Sequence, residues 1–264
     1  MKKETYRLIM DLTHNPFYTS VLKGFASSCW SKPFIRRFSN TYGINIAEAG
    51  KPIEEYKTLQ EFFSRSLKEN SRPVSPVKNS VVSPVDGYLT AAGNIEAQDT
   101  FTVKGKVHDL YTLLRREDKV NRYSGGTFGV FYLSPQDYHR IHSPLDGKVI
   151  SRWALGEYSE PVNSLAFKFG VQPLASNYRL ITEISTAFGY VCIVKVGALN
   201  VNSVYYTHLN SQVEKGEEFA GFSFGSSVIV LFEPGRIALN KEEGAFLRQG
   251  EVFGLTADRG EKSD

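Results

Sequence analysis

Apolar and polar positions along this 264-residue chain change their period near residue 80. Before that point apolar residues recur at helical spacing: Phe17, Val21 and Phe25 lie four apart, with Leu22, Trp30, Phe34, Ile35 and Phe38 nearby. The pattern predicts two or three short amphipathic helices over residues 1–38, broken near Asn15-Pro16 and Ser31-Lys32-Pro33, because proline lacks a backbone donor and clashes with the preceding turn. Another helix is predicted over 58–67, where Thr58 followed three residues later by Glu61 has the form of a capping box, and Arg72-Pro73 ends the segment. Beyond residue 80, runs rich in Val, Ile, Tyr, Phe and Thr alternate with Gly, Pro, Asn and Asp, which predicts antiparallel strands at 81–91, 127–133, 147–155, 181–187, 189–197, 199–206 and 228–233. One short helix is expected among them near His108 to Arg115. The fold class expected is α+β: a helical region over 1–75, then a predominantly antiparallel β-sandwich or barrel-like domain over 76–264.

Two segments of the β-region echo each other. Ser83-Pro84-Val85-Asp86-Gly87 and Ser143-Pro144-Leu145-Asp146-Gly147 share one form, each leading into a strand. Ser-Pro starts turns and Asp-Gly closes them tightly, so the pair predicts two equivalent corners related by internal pseudo-symmetry. Lipoyl and biotinyl carrier domains use similar corners, which makes a carrier or binding module the alternative reading. A carrier needs an exposed lysine in a hairpin, and neither Met-Lys nor Asp-Lys-Met stands in such a place.

Composition narrows the classes. Hydrophobic residues make up 41% and charged residues 22%, ordinary for a globular chain. No apolar run approaches the ~18 residues of a membrane span, and no secretory signal is evident. Cys29 and Cys192 are far apart, which argues against a disulfide framework and fits a reducing compartment. The net charge is only +3, yet Lys2, Lys3, Arg7, Lys23, Lys32, Arg36 and Arg37 face just Glu4 and Asp11 in the first forty residues. A basic, aromatic, amphipathic segment suits attachment to anionic lipid; the same pattern also suits a helix that packs its stripe on the domain. Nucleic-acid binding has little support, since the basic residues do not line one sheet face.

The candidate chemistry centres on Phe224-Gly225-Ser226-Ser227, set between a Gly-rich approach over 215–222 and the apolar run Val228 to Phe232. A serine hydroxyl can attack the preceding carbonyl carbon and shift the chain from amide to ester, and glycine before it removes the hindrance of a Cβ. Elimination from that ester and hydrolysis would leave a pyruvoyl group at a new N-terminus. Such a nucleophile needs a base and a group to orient it. Tyr138-His139-Arg140-Ile141-His142 supplies histidines beside the second corner, and Asp86 occupies the first. If the corners are symmetry-related, Asp86 and His142 can approach each other. The histidine pair has no third ligand nearby, so no metal site is expected.

Taken in order, Leu59 to Lys68 with Arg72-Pro73, Val82 to Gly87, Tyr138 to Pro144, Val196-Gly197-Ala198 and Phe224 to Ser227 resemble the bacterial, pyruvoyl-dependent phosphatidylserine decarboxylases. Leu-Gly-Ser-Thr in that family becomes Phe224-Gly225-Ser226-Ser227 here, which keeps an apolar flank and a hydroxyl. The resemblance implies a proenzyme in which Asp86, His142 and Ser226 form the charge relay for cleavage between Gly225 and Ser226. It implies chains 1–225 and 226–264 held as a heterodimer, and pyruvate as the cofactor, derived covalently from Ser226 and forming a Schiff base with the substrate amine. Beside the relay His142, His139 is the candidate for proton transfer or for contact with the substrate carboxylate. The implied partner is phosphatidylserine in an anionic membrane, reached from the cytoplasmic side of the cell membrane by a peripheral enzyme. A decarboxylase for a soluble amino acid is the nearest rival.

Overall fold

The computed structural model describes residues 16–156, 173–197, 204–223 and 226–257. Three helices come first: α1 (Pro16–Ser27), α2 (Phe34–Tyr42) and α3 (Leu59–Phe63). The Thr58 hydroxyl caps α3 by accepting from the Glu61 N–H at 3.1 Å, and the Glu61 carboxylate accepts from the Lys57 N–H rather than that of Thr58. The helix stops at Phe63, earlier than its pattern predicts, because the following residues extend and Leu67 bridges to Ala49. Ile35, Ile44, Tyr56 and Phe62 form a small core of their own.

Strands then follow in quick succession: β1 (Ser80–Val82), β2 (Gly87–Asn94), β3 (Thr100–Val103) and β4 (Lys106–Asp109). Two helices, α4 (Leu110–Leu114) and α5 (Glu117–Tyr123), precede β5 (Thr127–Leu133), β6 (Arg140–His142) and β7 (Gly147–Leu155). After the short α6 (Pro173–Ser176) come β8 (Arg179–Thr186), β9 (Gly189–Gly197), β10 (Val204–Tyr206), β11 (Gln212–Val213) and β12 (Glu218–Phe222). The last four are β13 (Ser226–Phe232), β14 (Ile237–Leu239), β15 (Phe246–Leu247) and β16 (Val252–Thr256). Eight of them build one antiparallel sheet in the order β11-β7-β8-β9-β13-β5-β2-β15, and two three-stranded sheets, β1-β16-β14 and β10-β12-β6, cover one face.

β13 is central and enclosed on both faces. Val228, Val230 and Phe232 pack with Phe219, Phe222 and Phe253 of the covering sheets. Ile229 and Leu231 pack on the opposite side with Leu110, Leu113 and Val120 of the helices and Phe101 of β3. A strand with two buried faces reads as an unbroken apolar run instead of an alternation, which is why 228–232 is so uniform. The fold is therefore α+β, with N-terminal helices and a β-rich body layered as small sheets, large sheet and helices.

The pseudo-symmetry predicted from the two corners extends further than the corners. Ser83 Oγ donates to the Val85 carbonyl at 2.7 Å and Ser143 Oγ to that of Leu145 at 2.6 Å. The corners bond each other reciprocally, Val82 N–H to Pro144 O and His142 N–H to Pro84 O. Each is also clasped by a later segment in the same way. Gly250 N–H donates to Ser83 O and Gly216 N–H to Ser143 O; Gln249 N–H donates to Asp86 and Lys215 N–H to Asp146. Gly216 and Gly250 both take left-handed φ, +85° and +87°, the region that favours glycine. Residues 212–222 and 246–256 are thus second halves of the same repeat, a relation the sequence reading did not detect.

Candidate active site

Four strand ends form a row at one end of the large sheet. Ser226 begins β13 and pairs with Leu133 at the end of β5 and with Gly197 at the end of β9. On the far side of Leu133 stands Gly87, so close that a Cβ there would meet the Tyr132 carbonyl oxygen at 2.7 Å. Asp86 therefore lies about two strand spacings, roughly 10 Å, from the backbone of Ser226. Phe224 and Gly225 fall outside the described residues, as does the side chain of Ser226.

Asp86 is buried and fully engaged. Arg72 Nε donates to both carboxylate oxygens at 2.9 Å, Arg72 Nη2 donates to Oδ2 at 2.6 Å, and the Gln249 N–H donates to Oδ1 at 2.8 Å. Arg72 also pairs with Glu48 at 2.9 Å. No hydrogen bond joins Asp86 to His142 in this geometry; the Asp86 charge acts on the imidazole through space and favours its protonation.

The group that orients His142 is the Gly216 carbonyl, 2.8 Å from Nδ1. A carbonyl only accepts, so Nδ1 carries the proton and Nε2 keeps its lone pair in the neutral ring. Nε2 lies 3.2 Å from the Tyr138 hydroxyl, which donates to it. Burial is the first cause of a pKa below the ordinary imidazole value, opposed by the Gly216 contact and by the Glu218 and Asp86 charges. His142 is thus a neutral base at pH 7 with its lone pair on a defined nitrogen. Neither Tyr138 nor Gly216 was singled out from sequence; the latter lies 74 residues away on the second half of the repeat.

His139 is completely buried. Its Nδ1 donates to the Asp137 carbonyl at 2.9 Å, its ring lies 4.0 Å from that of Phe63, and Nε2 has no partner among the described residues. Burial, with Arg65 adding to it, lowers its pKa to about 3. The backbone ties it to the strand that precedes Gly225 in sequence: its carbonyl accepts from the Phe222 N–H at 2.9 Å, three residues before Gly225. His142 pairs with Glu218, farther along the same two strands. The turn between Leu133 and His139 is tied by Asp137, whose carboxylate accepts from the Ser134 N–H at 2.6 Å, and burial raises that carboxyl to about 6.

One buried amine also escaped the sequence reading. Lys195 on β9 pairs with Val228, its amine donates to Thr182 Oγ1 at 2.5 Å, and it lies over the rings of Tyr206 and Phe219. Burial drives its pKa well below the usual lysine range.

A β-rich body with a serine-headed central strand, two wired histidines and an arginine-clamped aspartate defines a candidate for self-processing chemistry. Residues 59–255 match the family model of phosphatidylserine decarboxylase. A phosphatidylserine decarboxylase proenzyme of Halalkalibacterium halodurans is 43% identical over 255 residues, covering 96% of this chain and 98% of its own. One of Bacillus cereus is 44% identical over 253 residues, covering 95% and 97%. The chain belongs to the phosphatidylserine decarboxylase family, and it is an enzyme of the decarboxylase class.

Proposed function

We propose that the chain is a proenzyme that cuts its own Gly225–Ser226 bond and then converts phosphatidylserine to phosphatidylethanolamine and CO2. The observation that carries this reading is the position of Ser226, first residue of the most enclosed strand, in a chain related over nearly its whole length to proenzymes of that name. In this reading His142 Nε2 takes the Ser226 hydroxyl proton as the oxygen attacks the Gly225 carbonyl carbon, and returns it to the amide nitrogen as the C–N bond breaks. Loss of the Ser226 α-proton then expels Gly225 as a carboxylate and leaves a dehydroalanine. Its imine tautomer takes up one water, releases ammonia and becomes the pyruvoyl group.

Asp86, fixed by Arg72, stabilises positive charge on His142 during the first step through its field. The pyruvoyl carbonyl supplies an electron sink for the pair left by the departing carboxylate. The residues present suit such a group: the unpartnered Nε2 of fully buried His139, beside the strand leading into 224–225, is free to hold the substrate carboxylate or to move a proton there. After cleavage the chains 1–225 and 226–264 remain together, since β13 bonds along its whole length to β5 and β9.

The substrate is a membrane lipid, so the enzyme docks peripherally on the cytoplasmic side of the cell membrane. No helix among the described residues is long and apolar enough to cross a bilayer. The docking surface is the N-terminal helical region, where Val21, Leu22, Phe25, Trp30 and Phe34 are exposed beside Lys23, Lys32, Arg36 and Arg37.

Intact mass under denaturing conditions tests the first step. The expected result is two chains, the smaller beginning at residue 226 and carrying the serine-to-pyruvoyl mass change, with Ser226→Ala remaining whole. A single full-length mass from folded, wild-type protein would sink the proposal. Incubation of the cleaved protein with phosphatidylserine vesicles tests the second step, by release of CO2.

A further inference from the structure

Ser226 enters β13 between two neighbours of opposite character. On one side it pairs with Leu133, a buried member of the core, and on the other with Gly197. The Gly197 N–H donates to the Tyr178 carbonyl at 2.9 Å, and the Gly197 carbonyl accepts from Asn177 Nδ2 at 2.9 Å. Both polar groups of Gly197 are thereby turned towards Asn177 and Tyr178 and away from β13. In an antiparallel sheet this makes Gly197 and Ser226 a non-hydrogen-bonded pair, whose α-carbons approach to about 4.5 Å and whose Cβ positions come closest. A side chain at 197 would therefore stand directly beside residue 226, on the sheet face that Leu133 and Val228 share. Glycine puts none there. Lys195, the next residue of β9 on that face, leans the other way, since its amine bonds Thr182, the partner of Ile193. Glycine weakens a strand and marks a place where a ligand or another backbone comes close.

We propose that Gly197 determines which amines reach residue 226: the room it leaves admits the carboxylate-bearing carbon of the substrate, on the side that Leu133 does not fill. The inference rests on the reading of Ser226 as the source of the pyruvoyl ketone, whose carbon is the α-carbon of residue 226. An amine that condenses at that carbon expels the ketone oxygen as water and brings its own α-carbon two bonds away. In an unbranched amine this second carbon carries hydrogens and one chain. In a serine head it carries the carboxylate as well, and the extra group needs space beside residue 226. A methyl group at 197 would occupy that space.

Reductive trapping, read by intact mass, tests this without relying on turnover. Processed protein is incubated with glycerophosphoserine or glycerophosphoethanolamine, which differ only by the carboxylate. Cyanoborohydride supplies the hydride that fixes the amine on residue 226. Wild type should consume its free small chain with both probes. Gly197→Ala, which keeps the extended backbone of β9, should react about tenfold more slowly with glycerophosphoserine and at the wild-type rate with glycerophosphoethanolamine. Slowing of both probes alike, or of neither, would overturn the proposal. Should Gly197→Ala remain uncleaved, wild type alone decides. Relative to their rates with free pyruvamide, propylamine and isopropylamine, which is branched at the carbon bearing nitrogen, should be trapped alike. Discrimination of about tenfold against isopropylamine would show that the room is absent and overturn the proposal. A wild type that is full-length before any amine is added would refute self-cleavage itself, an outcome the mass shows separately from any selectivity.

Discussion

The motif Tyr138 to His142 stood out through the ordered family resemblance, because two histidines beside a Ser-Pro corner serve equally well as plain turn residues. Their wiring was not legible. Both rings donate from Nδ1 to main-chain carbonyls, of Asp137 and of Gly216, and no spacing rule points to either acceptor. The same burial that keeps His139 neutral has a consequence for stability. Its pKa is about 3 when folded against an ordinary 6.5, so as pH falls below 6.5 the unfolded chain binds a proton that the folded chain refuses. Stability therefore declines towards acid, by about 1.4 kcal/mol per pH unit for one proton. Asp137 works the other way, because its folded carboxyl, raised to about 6, binds a proton before the unfolded one does and so gains stability as pH falls. His142, also lowered, adds to the His139 slope. Urea unfolding of Ser226→Ala protein, which the proposed self-cleavage expects to stay whole, should show this at pH 6.5, 5.5 and 4.5. Adding His139→Gln should flatten the decline by about 1.4 kcal/mol per unit, and Asp137→Asn should steepen it. Parallel slopes in all three would mean that His139 is not held neutral.

Among elements, the long uniform strands were the legible ones. The stretches 127–133, 147–155 and 189–197 form strands with the bounds their pattern predicts, and β13 begins two residues earlier than expected. The predicted strand 81–91 is two, β1 and β2, separated by the first corner. Of the predicted 199–206 only Val204–Tyr206 falls among the described residues. β12 was missed because Ala220 and Gly221 read as a loop. In the sheet Gly221 lets the Tyr205 ring lie over the strand, since a Cβ there would come within 2.7 Å of its hydroxyl. α5 went unread because its anchor is a tertiary one. Glu183 on β8 is entirely buried and receives Lys119 at 2.6 Å, Arg122 at 2.9 Å and the Tyr123 hydroxyl at 2.9 Å, all from α5. Removing the carboxylate charge leaves buried Lys119 with only the exposed Asp118 carboxylate at 3.2 Å, so Glu183→Gln should cost about 3 kcal/mol. Denaturant unfolding measures it, and a loss below about 1 kcal/mol would show that the cluster is solvated rather than buried.

At the scale of the whole molecule, the repeat sets the end of the sheet where β13 begins, and in the proposed function the N-terminal helices are what meets the membrane. Helical spacing alone left two uses for the apolar stripe of residues 17–38, packing on the body or facing lipid. The structure divides it. Ile35 and Ala26 are buried, and Ser31 and Ser27 tie α1 to α3 through Leu59 N–H and Gln60. Trp30 is 79% exposed, with Leu22 and Val21 more than half exposed and Phe25 set edge-on against Phe34. An apolar cluster of this kind ringed by exposed Lys23, Lys32 and Arg37 combines the two forces that hold an interfacial helix, burial of apolar area and attraction to anionic headgroups. The forces separate experimentally, because only the second is screened by salt. Flotation with vesicles rich in anionic lipid should fall as salt rises. Trp30→Ala should weaken binding by roughly tenfold at every salt concentration, whereas Lys32→Gln with Arg37→Gln should weaken it by about 1 kcal/mol per charge at low salt and little at high salt. If neither variant changes flotation, the cluster is not the docking surface, and the catalytic end must reach its lipid through another part of the chain.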